Sequence, residues 1–161
     1  MKGIPWPTPS YSRCLMHCVF STKGRMNLLY RDLQLRLWAY MAGIAKNNKM
    51  QALSVGGIEN HAHLLVNLPA TLSLSQAMQL LKGNSSKWLN EEFPALRPFS
   101  WQEGYGAFSI GASQVARTIA YIASQHMHHR GRTFEDEYLT ILKKYEIPYD
   151  PRYVFDAEIS G

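Results

Sequence analysis

The chain has 161 residues, 46% of them hydrophobic and 18% charged, which is typical of a folded protein and excludes an intrinsically disordered chain. No segment is apolar over the length of a membrane span, and the first ten residues, MKGIPWPTPS, lack the apolar run of a signal peptide. The net charge of +5 favours a polyanionic partner without identifying one. We therefore expect a single cytoplasmic domain over 1–161, with an extended arm at 1–10 and a helix and tail at 132–161.

The first half of the chain alternates between strand and helix patterns. Residues 12–22 are rich in β-forming side chains and predict a strand, while residues 31–46 carry apolar side chains every three or four positions and predict an amphipathic helix. Two further strands are predicted at 50–58 and 61–68. The connection between these two strands is short, which makes them a hairpin.

The second half continues the alternation and adds helices at the end. A helix that begins after Ser73 or Ser75 is followed by an aromatic-rich strand at 99–110, in which Gly104 or Gly106 favours an irregularity. A third helix is predicted at 113–130 and a short last helix at 134–145. The order strand, helix, strand, strand, helix, strand is that of the ferredoxin-like split β-α-β fold. We therefore predict an α+β protein that extends this fold with additional C-terminal helix.

The two cysteines lie in the first predicted strand. Four residues of strand separate Cys14 from Cys18 by roughly 13 Å, which is too far for a disulfide. Both are expected to be buried free thiols in a reducing compartment. A zinc site that combines them with His17 is not expected, because neighbouring strand residues point to opposite faces.

Two histidines in the third strand are the first candidates for chemistry. Side chains alternate across a strand, so His61 and His63 share one face and lie roughly 7 Å apart at their bases, while Ala62 faces the helices. Two imidazoles at this spacing can bind one divalent cation. Two histidines that merely share a half-exposed strand face are the more common explanation of such a tripeptide, so a metal site needs further groups nearby.

The third helix carries such groups. Arg117, Tyr121 and Gln125 recur every four residues and therefore lie on one stripe of the predicted helix. A phenol is a weak nucleophile because its pKa is about 10, and a divalent metal on a phosphate ester can polarise that ester for attack. The amide oxygen of Gln125 can reach the same metal. Without the histidines, Tyr121 is better explained as an amphipathic side chain at a packing edge, and Tyr105 and Tyr138 are competing candidates.

Together the two motifs resemble the single-tyrosine HUH transposases, the insertion-sequence-200-like transposases of bacteria and archaea. His61-Ala62-His63 is followed by Leu-Leu-Val, and the helix carries Tyr121-Ile122-x-x-Gln125. The resemblance extends over about 11–156. The residue between the histidines is usually bulky in this family and is alanine here. Further matching stretches are VFSTK at 19–23, GIEN at 57–60, LLKGNSS at 80–86 and WQEGYGAFS at 101–109.

This resemblance implies a DNA transposase that cleaves and rejoins single-stranded DNA at hairpin-marked element ends through a 5′-phosphotyrosine intermediate. Carried over by position, Tyr121 is the nucleophile, and His61, His63 and Gln125 bind Mg²⁺ or Mn²⁺. Members of the family act as homodimers, in which the tyrosine helix of one subunit can complete the site of the other. The expected partners are therefore hairpin-bearing single-stranded DNA and a second copy of the chain, with no membrane.

Other basic and histidine side chains give weaker signals. His126, His128 and His129 near a predicted helix end are explained by the helix dipole rather than by a second metal site. Singly, each basic side chain on a helix is most simply explained as a solvated charge. Four of them are nevertheless candidates for phosphate contacts: Arg117, Lys82, Lys87 and Arg130.

Three other functions remain open at this stage. The chain can be a host-adopted relative that processes repeated genomic palindromes, a non-catalytic ferredoxin-like nucleic-acid-binding module, or a protein that stores or senses metal through its histidines. A covalent DNA adduct that depends on Tyr121 distinguishes an enzyme from the last two. The DNA that flanks the gene distinguishes an element's own transposase from a host-adopted relative.

Overall fold

The structure of the protein is a computed structural model that describes residues 10–155 and contains a single β-sheet. This sheet has four antiparallel strands in the order β2-β3-β1-β4. This order confirms the predicted ferredoxin-like arrangement and hairpin. The arm expected at 1–10 lies, apart from Ser10, outside the described residues. The strands are Cys14–Ser21 (β1), Gln51–Ile58 (β2), His61–Leu68 (β3) and Gly106–Ser109 (β4).

Helices cover both faces of the sheet. In the described part of the chain none of them is long and apolar enough to cross a membrane. Ser73 rather than Ser75 caps the second helix, because its hydroxyl accepts a hydrogen bond from the backbone N–H of Gln76 while the side-chain oxygen of Gln76 accepts one from the backbone N–H of Ser73. The α-helices are Arg31–Asn47 (α1), Leu74–Glu92 (α2), Val115–Ala123 (α3), Gln125–His128 (α4) and Phe134–Lys144 (α5).

One face of the sheet packs on α1 and α2 and forms the main core. The predicted alternation of β3 holds, because Ala62, Leu64 and Val66 are fully buried on this face. Full burial of a leucine or valine side chain such as Leu64 or Val66 contributes about 1.5–3 kcal/mol to folding. Cys18 also lies in this core, whereas the prediction that Cys14 is buried was wrong, because Cys14 is exposed at the start of its strand. The helices contribute Leu33, Leu37, Met41, Met78, Leu81 and Leu89 to the same core.

The opposite face is covered by α3 and α5. Under α3, Ile122 packs on Leu15 and Leu65. At the other end of the sheet, α5 packs its apolar stripe against β1 and β4. The strip of β3 that carries the two histidines lies between these two clusters. The second cluster consists of Val19, Phe108, Phe134, Tyr138 and Leu142.

The fourth strand is shorter than the one predicted at 99–110. Trp101 pairs with Thr22 in an isolated bridge, and regular pairing resumes only where Gly106 meets Val19. More residues lie between Trp101 and Gly106 than between Val19 and Thr22, so the excess bulges out of the sheet. Lys82 stabilises this bulge, since its ammonium group donates to three consecutive backbone oxygens from Gln102 onwards at 2.7, 3.1 and 2.7 Å.

The single helix predicted at 113–130 was also wrong in detail. A 3₁₀ turn precedes α3, and the helix is interrupted at Ser124, whose φ and ψ are −106° and 26°. The Ser124 hydroxyl donates to the backbone oxygen of Ala120 at 2.8 Å, a bond that competes with regular helix geometry. The interruption separates Tyr121 on α3 from Gln125 on α4, so the position of Gln125 is not set by a continuous helical stripe.

Candidate active site

The site is centred on the two histidines of β3, which are fully buried rather than half-exposed. Nδ1 of His61 lies 2.8 Å from Oδ1 of Asn60, and Nδ1 of His63 lies 2.8 Å from Nε2 of His17. These neighbours occupy one nitrogen of each ring. The other nitrogen, Nε2, of both His61 and His63 therefore faces the space under α4 and α5.

The residues predicted from the third helix reach this space within the same chain. Oε1 of Gln125 lies 2.9 Å from Nε2 of His61, and the side chain is almost fully buried. The ring of Tyr121 lies edge-on to the ring of His63, with 5.7 Å between the centroids. The structure thus brings His61, His63, Tyr121 and Gln125 together.

Sequence reasoning missed an acidic residue at the centre of the site. Glu137 of α5 is 1% exposed, and its Oε1 lies 3.1 Å from Nε2 of His63 and 3.2 Å from Nε2 of His61. Its Oε2 accepts hydrogen bonds from the Tyr121 hydroxyl and, at 3.1 Å, from Nε2 of Gln125. The signal in the sequence is a carboxylate placed within the apolar stripe of a helix, three residues after Phe134.

His129 is a second missed member of the site, and the helix dipole does not explain its position. Its side chain is 6% exposed, and Nε2 lies 3.2 Å from Oε1 of Glu137 without hydrogen-bonding geometry. Its Nδ1 lies 2.7 Å from the backbone oxygen of Arg132. The two rings of His129 and His61 lie with their centroids 4.8 Å apart. His129 therefore belongs to the same cluster as His61 rather than to a separate one.

Burial and the carboxylate set the charges of the cluster. Burial lowers the pKa of His61 to about 4 and that of His17 to about 3, so both rings are neutral at neutral pH. Burial opposes ionisation of Glu137, but the neighbouring imidazoles outweigh it and hold the pKa of this carboxyl far below its usual range. Burial and the negative charge of Glu137 raise the pKa of Tyr121, which therefore remains a phenol in this arrangement.

The donor atoms suit a divalent cation. Ring nitrogens, a carboxylate and an amide oxygen are groups that Mn²⁺ and related ions accept as ligands. Neighbouring ligands of an octahedral ion lie about 3 Å apart, which agrees with the 2.9–3.2 Å between atoms of His61, Gln125 and Glu137. One atom each of His61, His129 and Glu137 lies within 4.8 Å of the others. The buried, unbonded Nε2 of His129 points to the same position.

A cleft of about 210 Å³ opens beside Tyr121, between α3 and α5. Among the described residues that line it are the cations Arg117, Arg132 and Lys144, and no carboxylate. Tyr145 and Ile141 contribute apolar surface to the same wall. The walls of the cleft beside Tyr121 are therefore positively charged.

The four predicted phosphate-contact residues occupy different surroundings. Arg117 lines this cleft. Lys87 and Arg130 are exposed, and Lys82 holds the bulge before β4. Contacts of all four with DNA remain predictions.

Comparison with known proteins agrees with this arrangement of sheet, histidines and tyrosine helix. Residues 10–125 match the model of the family described as "Transposase IS200 like". The chain therefore belongs to the IS200-like family of single-tyrosine transposases. The match ends at Gln125, so His129 and Glu137 lie beyond it.

Individual relatives are more distant. The chain is 29% identical over 118 residues to the transposase for insertion sequence element IS200 of Salmonella typhimurium strain LT2. The aligned region covers 70% of this chain and 76% of that protein. The chain is 23% identical over 115 residues to the ISDra2 transposase TnpA of Deinococcus radiodurans, covering 68% and 82% of the two chains.

Two solved structures share the fold. A proposed transposase of Deinococcus radiodurans R1 superposes with a TM-score of 0.62 at 20% identity, covering 73% of this chain and 95% of that one. A REP-associated tyrosine transposase bound to a REP hairpin superposes with a TM-score of 0.56 at 15% identity, covering 76% and 75%.

Proposed function

We propose that this transposase cleaves and rejoins single-stranded DNA at hairpin-marked ends, with Tyr121 as the nucleophile and a divalent cation as cofactor. The observation that carries the proposal is that the Tyr121 hydroxyl and the side chains of His61, His63, Gln125 and Glu137 meet in one cluster. Such a cluster is costly to bury for a purely structural purpose, because each polar group must find a partner away from water.

The proposed reaction exchanges one phosphate ester for another. The Tyr121 oxygen attacks the phosphorus of the scissile phosphate, and the bond from that phosphorus to the 3′ oxygen of the preceding nucleotide breaks. The hydroxyl proton of Tyr121 is released, and the leaving 3′ oxygen takes up a proton to become a hydroxyl. The product is a 5′-phosphotyrosine link, which the same 3′-hydroxyl or another one can attack to rejoin a strand. No nucleotide cofactor is consumed, because the number of ester bonds is unchanged.

His61, His63 and Gln125 would hold the cation, Mg²⁺ or Mn²⁺, beside the tyrosine. When bound, such a cation neutralises charge on the phosphate and makes its phosphorus easier to attack. The neutral ring of His61 suits this role, since only an unprotonated imidazole nitrogen can bind a metal. The buried site also excludes water that would otherwise compete for the phosphotyrosine.

The cleft beside Tyr121 provides an approach for the strand. Arg117, Arg132 and Lys144 can pair with successive phosphates, and Tyr145 offers an aromatic surface for a base. Because Tyr121 lines the cleft, a strand bound there would present a phosphate to its hydroxyl.

The proposed site is assembled within one chain. Gln125 on α4 contacts His61 on β3, and the ring of Tyr121 on α3 lies edge-on to His63 of the same strand, without a second subunit. A homodimer, which the family resemblance implies, would then contain two complete sites. Mixing Tyr121→Phe chains with His63→Ala chains tests this assembly, since complementation of activity in the mixture contradicts it.

Covalent capture of DNA tests the proposed reaction. Fluorescent single strands that contain hairpins, taken from the flanks of the gene and from repeated genomic palindromes, are incubated with the full chain and Mg²⁺ or Mn²⁺. We expect a labelled adduct that survives denaturing electrophoresis and disappears with a chelator. Tyr121→Phe should abolish the adduct, whereas Tyr105→Phe, the matched control, should retain it. An undiminished adduct in Tyr121→Phe would exclude this tyrosine as the nucleophile.

A further inference from the structure

We infer that Glu137 completes the cation site and positions the nucleophile, so that helix α5 is part of the active site of this transposase. The inference rests on the proposed cation, but it concerns residues beyond the family match at 10–125. Its central observation is that the two oxygens of one buried carboxylate face different partners. Oε1 faces the imidazoles, and Oε2 faces the Tyr121 hydroxyl.

The hydrogen bonds of His129 argue for a cation at Oε1. Its Nδ1 lies 2.7 Å from a backbone oxygen, that of Arg132, which can only accept a hydrogen bond. In a neutral ring this fixes the proton on Nδ1 and leaves a lone pair on Nε2. That lone pair lies 3.2 Å from Oε1 of Glu137, which is also an acceptor. A proton on Nε2 would not join these two atoms, because their geometry is not that of a hydrogen bond, whereas a cation that both atoms bind would.

His61 repeats the same arrangement. Its Nδ1 lies 2.8 Å from Oδ1 of Asn60, which leaves the lone pair of Nε2 directed into the site. This nitrogen lies 2.9 Å from Oε1 of Gln125 and 3.2 Å from Oε1 of Glu137. Four acceptor atoms from four side chains, including His129, thus converge on one position. The cluster therefore has the donor set of a metal site with a carboxylate ligand.

The second oxygen of Glu137 links this cation to the nucleophile. It accepts the hydrogen bond of the Tyr121 hydroxyl, and Nε2 of Gln125 donates to it at 3.1 Å. Because both oxygens belong to one rigid carboxylate, the phenol is held at a fixed distance from the cation. Glu137 is thus a ligand through Oε1 and a positioning residue for Tyr121 through Oε2.

The packing of α5 fixes this carboxylate in place. Thr133 caps the helix by accepting from the backbone of Asp136 at 3.2 Å. Phe134 and Tyr138, on either side of Glu137 along the helix, pack against Val19 in the second cluster. A chain that ends after the family match would lose this carboxylate and the cluster that holds it.

Cation binding without DNA tests the inference. Mn²⁺ is titrated into the full chain and free Mn²⁺ is followed by electron paramagnetic resonance. Loss of a carboxylate ligand in Glu137→Gln should lower the affinity at least tenfold, and Glu137→Asp should restore part of it. His129→Gln should also weaken binding about tenfold. Tyr121→Phe should bind Mn²⁺ like the unaltered chain, as should the matched control Asp136→Asn, which removes an exposed charge from the same helix.

The outcomes separate the inference from the proposed reaction. Unchanged Mn²⁺ affinity in folded Glu137→Gln and His129→Gln would overturn the inference and leave a structural ion pair, even if the DNA adduct forms. Failure of the unaltered chain to form any adduct would contradict the proposed reaction while the Mn²⁺ affinities still test the cation site. If Glu137→Gln does not fold, judged by circular dichroism, Glu137→Asp decides: its shorter side chain should weaken Mn²⁺ binding, and unchanged affinity would overturn the inference.

Discussion

Nε2 of His17 on β1 lies 2.8 Å from Nδ1 of His63 on β3. The two rings lie on the same face of the sheet, with centroids 5.1 Å apart. Since His17 is neutral, one of the two nitrogens carries the hydrogen and the other accepts it. This bond fixes the orientation of His63 so that its Nε2 points to Glu137.

Removing this support should weaken the cation site without removing a ligand. In His17→Phe the ring volume is kept but the hydrogen bond to His63 is lost, and outer hydrogen bonds of this kind typically alter metal affinity 10- to 100-fold. We expect Mn²⁺ affinity to fall by about tenfold in the folded variant, measured by calorimetric titration. His126→Asn, which removes a half-buried histidine outside this pair, is the control. Equal affinities in both variants would contradict a supporting role for His17.

A close approach between two backbones should make Gly56 necessary. A methyl group on Gly56 of β2 would lie 2.8 Å from the backbone oxygen of Ile122, the residue that follows Tyr121. Gly56→Ala therefore has to displace α3, which we expect to cost about 1–3 kcal/mol of unfolding free energy and to reduce adduct formation. Urea unfolding measures the first effect and covalent capture of DNA the second.

The matched control for this substitution is Gly43→Ala. Gly43 lies within α1, and a methyl group there meets no atom within 4 Å. Alanine has a higher helix propensity than glycine, so this variant should be more stable by about 0.5–1 kcal/mol and fully active. A Gly56→Ala protein as stable and active as the unaltered chain would show that α3 can move without consequence.

The contrast between β3 and α5 explains how much of the site could be predicted from sequence. The strand period places His61 and His63 on one face, and the family motif adds Tyr121 and Gln125. Their partners depend on long-range packing, because Glu137 reaches the histidines only after α5 docks on Val19 and Phe108. No local pattern in the sequence indicates that α5 packs against these strands.

Hydrogen bonds from side chains to the backbone also limited the prediction of helices and strands. The helix and strand periods correctly gave α1, α2 and the β2–β3 hairpin, whose side chains repeat regularly. They failed at Ser124, where a side-chain hydroxyl competes for a helix carbonyl, and at 102–105, where Lys82 holds the bulge. In both places a hydrogen bond from a side chain to the backbone decides the conformation.

The charged cleft should determine how tightly the chain binds a single strand. Arg117 and Lys144 line it, so Arg117→Gln and Lys144→Gln should each weaken binding. If each residue contacts one phosphate, the slope of log affinity against log salt should decrease by about 0.7 per variant. Fluorescence anisotropy of a labelled hairpin strand over a series of salt concentrations measures this slope. Lys143→Gln, an exposed neighbour on α5 outside the cleft, should leave it unchanged, and an equal effect there would argue against a defined path for the strand.

The two thiols should differ in reactivity while the chain is folded. Cys14 is exposed, whereas Cys18 is buried in the main core, and burial raises the pKa of its thiol to about 12. The thiolate of Cys18 is therefore scarce at pH 8. Burial of the neutral thiol contributes stability that is fully present below the unfolded pKa of about 8.5 and is lost as the pH rises towards 12.

Alkylation by iodoacetamide at pH 8, followed by mass spectrometry, checks this difference. We expect Cys14 to be modified rapidly and Cys18 only in urea, where its pKa returns to the ordinary value. Because trypsin leaves both residues in one peptide, 14–23, fragment ions are needed to locate the label. The variant Cys14→Ser isolates the buried thiol. If this variant were alkylated as fast without urea as with it, β1 would open readily, and this central strand, which carries His17, would not be rigid enough to orient His63.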